Sequence, residues 1–68
     1  MEGWTQIYTT TSSALANIKK HLLEDNGISV ILLNQTDSLY NNFGEIKLYV
    51  TPEFAIKAIR IIEEDDNE

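Results

Sequence analysis

Residues 45–53, with the sequence EIKLYVTPE, decide the fold of this 68-residue chain. Polar and apolar side chains alternate over the first six of them, which predicts a strand with Ile46, Leu48 and Val50 directed inward. Threonine, proline and glutamate then follow in the order of a helix start, with an acid near the positive end of the helix dipole. The stretch therefore predicts a strand followed at once by a helix, whose apolar face is Ala55, Ala58, Ile59 and Ile62.

Upstream of this stretch the sequence predicts a loop and a second strand. Residues 34–44 are polar and contain Asn41, Asn42 and Gly44, which indicates a loop longer than the usual hairpin connection. Residues 28–33 are apolar on both faces and follow a glycine, and a run this short favours a strand.

The N-terminal part predicts one strand and one helix. Residues 4–10 alternate and are rich in aromatic and β-branched side chains, which is typical of a strand. The hydroxyls of Thr11-Ser12-Ser13 cap the following helix, and Asn26-Gly27 ends it because glycine tolerates the left-handed conformation. Apolar residues at helical spacing predict the buried face of this helix: Ala14, Leu15, Ile18 and Leu22.

These elements predict an α+β fold of the ferredoxin-like split βαββα type. Two helices lie on one face of a three-stranded antiparallel sheet, and the fourth strand is missing because residues 63–68 hold no β-former. That strand would pair beside strand one, so strand one is expected to be an open edge that invites pairing with another chain. We expect a single α+β domain over residues 1–62 and a disordered acidic tail over residues 63–68.

Composition excludes several classes of function. The net charge is −6, but five of the eleven acids lie in residues 63–68, and the five bases form no stripe, so neither nucleic acid nor an anionic membrane is an expected partner. There is no cysteine, hence no disulfide and no thiolate site. No apolar run approaches the ~18 residues that span a bilayer, and the first residues lack the basic start of a signal peptide. We expect a cytoplasmic protein.

The sequence does not indicate an enzyme. His21, the only histidine, borders the apolar face of the first helix without a nucleophile or metal-ligating companions, so we expect a partly buried boundary residue. Ser38 has no residue beside it in the sequence that could act as the general base that a nucleophilic serine requires. Thr11-Ser12-Ser13 could hold an anion at the helix N-terminus, although capping explains the same residues. We predict no catalytic residue, no metal site and no cofactor.

Two surfaces are candidates for binding. The first is the long loop, where polar and aromatic residues could contact a small-molecule ligand or a protein: Asp37, Ser38, Tyr40, Phe43 and Gly44. Asp37 and Ser38 are also common turn-forming residues. Gly44 would give the loop its return turn.

The second candidate surface is aromatic. Trp4, Tyr8 and Tyr49 could share the sheet face away from the helices and form the interface of a homodimer or of a complex with a protein partner. Alternatively, one or more of them packs inward. The two surfaces give two hypotheses: a small regulatory module acting through residues 34–44, or an interaction module that uses the strand-one edge and the open sheet face.

Short motifs along the chain carry a family resemblance: Tyr8-Thr9-Thr10, Leu22-Leu23-Glu24, Asn26-Gly27-Ile28, Leu33-Asn34, Asp37-Ser38, Tyr40, Phe43-Gly44-Glu45-Ile46 and Leu48-Tyr49-Val50. With them, residues 4–62 resemble a small bacterial domain of unknown function described as a putative prokaryotic signal transducing protein. That family is similar in fold to PII-type signalling proteins, which are ferredoxin-like and carry a signalling loop between strands two and three. Residues 34–44 occupy that position. The resemblance implies a signal-transducing module, whereas the basic phosphate-binding residues and last strand of PII proteins are not found in this sequence.

Overall fold

The computed structural model describes residues 2–35 and 44–66. Its elements are β1 (Thr5–Thr10), α1 (Ser13–Asp25), β2 (Ile31–Gln35), β3 (Glu45–Val50) and α2 (Ala55–Asp66), with one 3-10 turn over Pro52–Phe54. The three strands form an antiparallel sheet in the order β1-β3-β2. This confirms the predicted α+β fold and the ferredoxin-like split βαββα arrangement.

β3 is the central strand, and its inward side chains form the floor of the core. Ile46, Leu48 and Val50 are all buried, as the alternation of residues 45–50 predicts. Helix residues and Ile28 complete the hydrophobic core around Val50: Leu23, Ile28, Ala58 and Ile62. The core therefore lies between the helices and one face of the sheet.

Both ends of α1 are capped as predicted. The Ser12 Oγ accepts a hydrogen bond from the Leu15 amide at 3.2 Å. At the other end Gly27 has a φ of 79°, and its amide and the Ile28 amide donate to the Glu24 and Leu23 carbonyls, both at 3.0 Å. This pair of bonds is the Schellman motif, and it brings Ile28 back against Leu23 in the core.

The predicted buried face of α1 is wrong. The helix buries Ala16, Lys19 and Leu23, whereas Leu15 and Ile18 are 43% and 55% exposed. Each buried residue follows one predicted residue directly, so the two sets have the same spacing and differ by a rotation of about 100°. The Schellman motif favours the observed rotation because it places Leu23 against Ile28.

The predicted start of the second helix is confirmed. Pro52 begins a 3-10 turn that leads into α2, and the Phe54 amide donates to the Thr51 carbonyl at 3.0 Å. α2 then continues through Asp66, so the helix includes the four acids of residues 63–66. Ala58 and Ile62 are buried as predicted, while Ile59 is 40% exposed.

The second strand is shifted along the chain from its predicted position. The sequence indicates residues 28–33, but β2 spans Ile31–Gln35 and ends level with Glu45 of β3. Ile28 is buried as part of the α1 cap, which accounts for its apolar character without a strand. The apolar run therefore combines a helix cap and a strand.

Candidate functional site

The strand β1 forms one edge of the sheet. It pairs with β3 along one side, and within residues 2–35 and 44–66 no strand pairs with its other side. Its sequence TQIYTT has no charged residue and no proline. We call the unpaired side of Thr5–Thr10 the β1 edge.

A β-bulge interrupts this strand and decides where its tyrosine points. Gln6 is the register partner of Tyr49, but Tyr8, two residues later, pairs with Leu48, so Ile7 is the additional residue. Such an insertion reverses the faces of the residues that follow it. Tyr8 therefore lies on the same face as the buried Leu48 and packs against the core.

The aromatic residues consequently do not all share the open face. Tyr49 alternates with the buried Leu48 and Val50 and so lies on the face away from the helices, opposite Gln6 and Ile31. The alternative in which Tyr8 joins it there is wrong, because the bulge turns Tyr8 inward. Trp4 lies directly before β1 and is half-buried.

The candidate loop joins neighbouring strands. Gln35 of β2 and Glu45 of β3 are register partners, so residues 36–44 connect the two strands as a hairpin. Gly44 is half-buried and lies directly before β3. Asp37, Ser38, Tyr40 and Phe43 lie outside the described residues.

Lys19 is a residue whose role the sequence analysis missed. Its side chain is only 3% exposed, and its Nζ donates to Asp65 Oδ2 at 2.8 Å and to the Asp66 carboxylate. The hydrogen bonds to Asp65 and then Asp66 raise the pKa of the Lys19 ammonium above its ordinary value of 10.5. Helical spacing places Lys19 on the same side of α1 as Ala16 and Leu23, but the sequence alone does not show that this side is the buried one.

His21 differs from its predicted environment. It is 72% exposed, and its Nδ1 lies 4.0 Å from Glu24 Oε1, so it is a surface residue rather than a boundary residue. The rotation of α1 described above explains the difference. In the part of the chain that the structure describes, no three histidine or acidic residues are grouped as a metal site would require.

A family model matches residues 4–66, which is nearly the whole described chain. This family is DUF2007, described as putative prokaryotic signal transducing protein. The chain belongs to this family. No curated protein and no solved structure matches the chain. The match extends to the last described turn of α2, so the helix that carries Asp65 and Asp66 is part of the DUF2007 domain.

No helix among the described residues is both long enough and apolar enough to cross a membrane. The elements of the DUF2007 domain that the structure describes present three surfaces: the β1 edge, the open sheet face with Tyr49, and the outer side of the two helices.

Proposed function

We propose that this protein is a non-enzymatic signal-transducing module that works by pairing its β1 edge with a strand of another chain, first of all a second copy of itself. The observation that carries the proposal is the uncharged β1 edge, which has a partner strand on one side only in the described structure. The family description, putative prokaryotic signal transducing protein, is compatible with a role that depends on contact with another molecule.

The chemistry of β1 favours pairing. Sheet edges of monomeric proteins are usually protected by charged residues, by proline or by shortness, because unpaired amides and carbonyls bind other strands. β1 has six residues and neither charge nor proline. In an antiparallel pair of two copies, uncharged side chains meet uncharged side chains, so no like charges oppose each other.

An exposed isoleucine supports the same surface. α2 packs against β1, and Ile61 and Asp65 lie on the side of α2 that faces α1. Ile59 is about 200° around the helix from Ile61, on the opposite side, and is 40% exposed. A strand added at the β1 edge would run below this side of α2 and would cover Ile59.

The experiment is light scattering behind size exclusion across a dilution series. We expect the wild type to form a dimer that dissociates on dilution, and we expect Gln6→Lys to raise the dimer dissociation constant about tenfold, because each copy brings a charge to the shared edge. Gln6 is exposed, so the variant should fold. Ser29→Lys is the matched control: it adds the same charge at another exposed position.

Two results would reject the proposal. One is a wild type that stays monomeric at every concentration. The other is a dimer that Gln6→Lys and Ser29→Lys leave equally stable, which would place the contact elsewhere, for instance at β2, the other edge of the described sheet.

A second candidate function uses the loop. Residues 36–44 make a nine-residue hairpin connection, and hairpin loops usually have two to five residues. Loops of unusual length are often binding sites. Under this hypothesis Asp37→Ala and Tyr40→Ala abolish the thermal stabilisation of the protein by a small ligand found in a screen, while the dimer persists. Stabilisation that survives both substitutions would contradict it.

A further inference from the structure

The outer side of α1 carries an apolar stripe that the core does not use. Leu15, Ile18 and Leu22 are spaced at i, i+3 and i+7, so they line one side of the helix. Leu15 and Ile18 are 43% and 55% exposed, and Leu22 is half-buried. Three large aliphatic residues in a row on a helix surface are more than the isolated exposed residues that soluble proteins normally show.

This stripe continues into a groove between the helices. Five residues line a shallow depression of about 260 Å³: Leu22 of α1, its C-cap residue Asn26, and Ile61, Glu64 and Asp65 of α2. We call the stripe and this depression together the helical groove. Its lining combines the apolar side chains of Leu22 and Ile61 with the carboxylates of Glu64 and Asp65.

The wall that α2 contributes is acidic. Residues 63–66 are four consecutive acids, and the last turn of α2 has no base. Lys19 binds Asp65 and Asp66 from the core side, and Glu63 and Glu64 are exposed. The carboxyl end of the helix dipole adds to the negative potential here. A ligand that is apolar on one side and positively charged beside it would complement this arrangement.

We propose that the helical groove binds an amphipathic helix of a partner protein, with leucine-like residues on one face and lysine or arginine along the flank next to α2. A partner helix suits the stripe because helical i, i+3 and i+7 residues pack against one another. Charge complementarity specifies the basic flank. A second copy of this chain does not fit, because two acidic walls would face each other. An anionic membrane is repelled for the same reason.

The test uses a fluorescent peptide of leucine and lysine at helical spacing, and a matched peptide with glutamate in place of lysine. We expect saturable binding of the lysine peptide and none of the glutamate peptide. We expect Ile18→Gln to weaken binding about tenfold, since it removes a large apolar contact. Ile56→Gln is the matched control: the same change at an isoleucine that is 77% exposed on α2, among residues outside the groove lining.

The acidic wall is tested by a second matched pair. Glu64 lines the groove and its neighbour Glu63 does not. Glu64→Gln should therefore weaken binding of the lysine peptide more than Glu63→Gln, although both variants have the same net charge. Leu15→Gln repeats the test of the stripe at another exposed position. The proposal is overturned if both peptides bind alike, or if Ile18→Gln and Leu15→Gln bind as tightly as Ile56→Gln.

The experiments distinguish a failure of the helical-groove proposal from a failure of the β1-edge proposal. Gln6→Lys should keep the peptide affinity of the wild type, and Ile18→Gln should keep its dimer dissociation constant. If Ile18→Gln dissociates a dimer instead, the groove is a contact between two copies, and the partner helix proposed for it is wrong.

Discussion

Lys19 of α1 compensates for an unfavourable sequence at the carboxyl end of α2. Acidic residues at the carboxyl end of a helix are unfavourable because that end is already negative. The Lys19 ammonium, from α1, lies 2.8 Å from Asp65 and also binds Asp66, so it supplies the positive charge that the last turn of α2 lacks. A buried lysine is in turn costly unless it is paired. The two carboxylates therefore offset the cost of burying Lys19, and Lys19 offsets the cost of placing two acids at the end of α2.

We expect Lys19→Met to destabilise the protein by about 1–3 kcal/mol, less than a fully buried pair would cost because both carboxylates are exposed. The last turn of α2 should also fray, seen as faster amide exchange over residues 63–66. Lys20→Met is the control, since Lys20 is partly exposed and its ion pair with Glu24 is long, at 4.0 Å. Urea unfolding measures both. Equal effects of the two substitutions would contradict this role of Lys19.

The same ion pair predicts an alkaline pH dependence. The pKa of Lys19 is raised above 10.5 in the folded protein by Asp65 and Asp66. A raised folded-state pKa means that the stabilisation is fully present below pH 10.5 and is lost as the pH rises through the folded-state value. The difference in unfolding free energy between wild type and Lys19→Met should thus stay constant around neutral pH and shrink at strongly alkaline pH. A difference that stays constant up to strongly alkaline pH would contradict a stabilising role of the charged Lys19.

At the scale of the elements, the sequence predicts type and order well and predicts faces poorly. The alternation of residues 45–50 identifies β3 and its inward residues, because one face of the strand is buried in the core along its whole length. In α1 two stripes of equal spacing compete, and only the contacts of Leu23 and Lys19 with other elements select between them. In β1 the bulge at Ile7 has no local signal, yet it alone decides the side of Tyr8. The last turn of α2 contacts α1 through Lys19, a pairing distant in sequence that local patterns do not show.

The observed rotation of α1 makes a direct prediction. Leu23 is fully buried, so Leu23→Ala should cost about 2–5 kcal/mol, whereas Leu15→Ala should cost about 1 kcal/mol or less. Urea unfolding of the two variants measures the costs. The reverse order would show that the stripe of Leu15, Ile18 and Leu22 faces the core.

The C-terminal cap of α1 gives a further testable prediction. Gly27 has a φ of 79°, and an added Cβ would meet nothing within 4 Å, so the cost of Gly27→Ala is one of backbone conformation only. We expect a loss of about 1 kcal/mol, and a smaller loss for Gly27→Asn because asparagine tolerates this conformation better. Thermal unfolding compares the two variants. A Gly27→Ala protein as stable as the wild type would exclude the Schellman cap.

At the scale of the whole molecule, the helices cover one face of the sheet, and the surfaces proposed for binding lie apart from that core. The β1 edge is at the side of the sheet, and the helical groove is on the outer side of the helix pair. A signal-transducing protein of this family could therefore associate with a second copy and with a helix at the same time. Because the two surfaces share none of the residues that define them, each is tested without disturbing the other.

Amide hydrogen–deuterium exchange of the wild type at low and high protein concentration tests the β1 edge most directly. Alternate amides of an edge strand point outward, so those of Thr5–Thr10 should exchange more slowly at high concentration, when a second strand binds them. Amides of β3 are already paired on both sides and should not change. Exchange in β1 that is the same at both concentrations, or new protection in β2 instead, would contradict strand pairing at this edge.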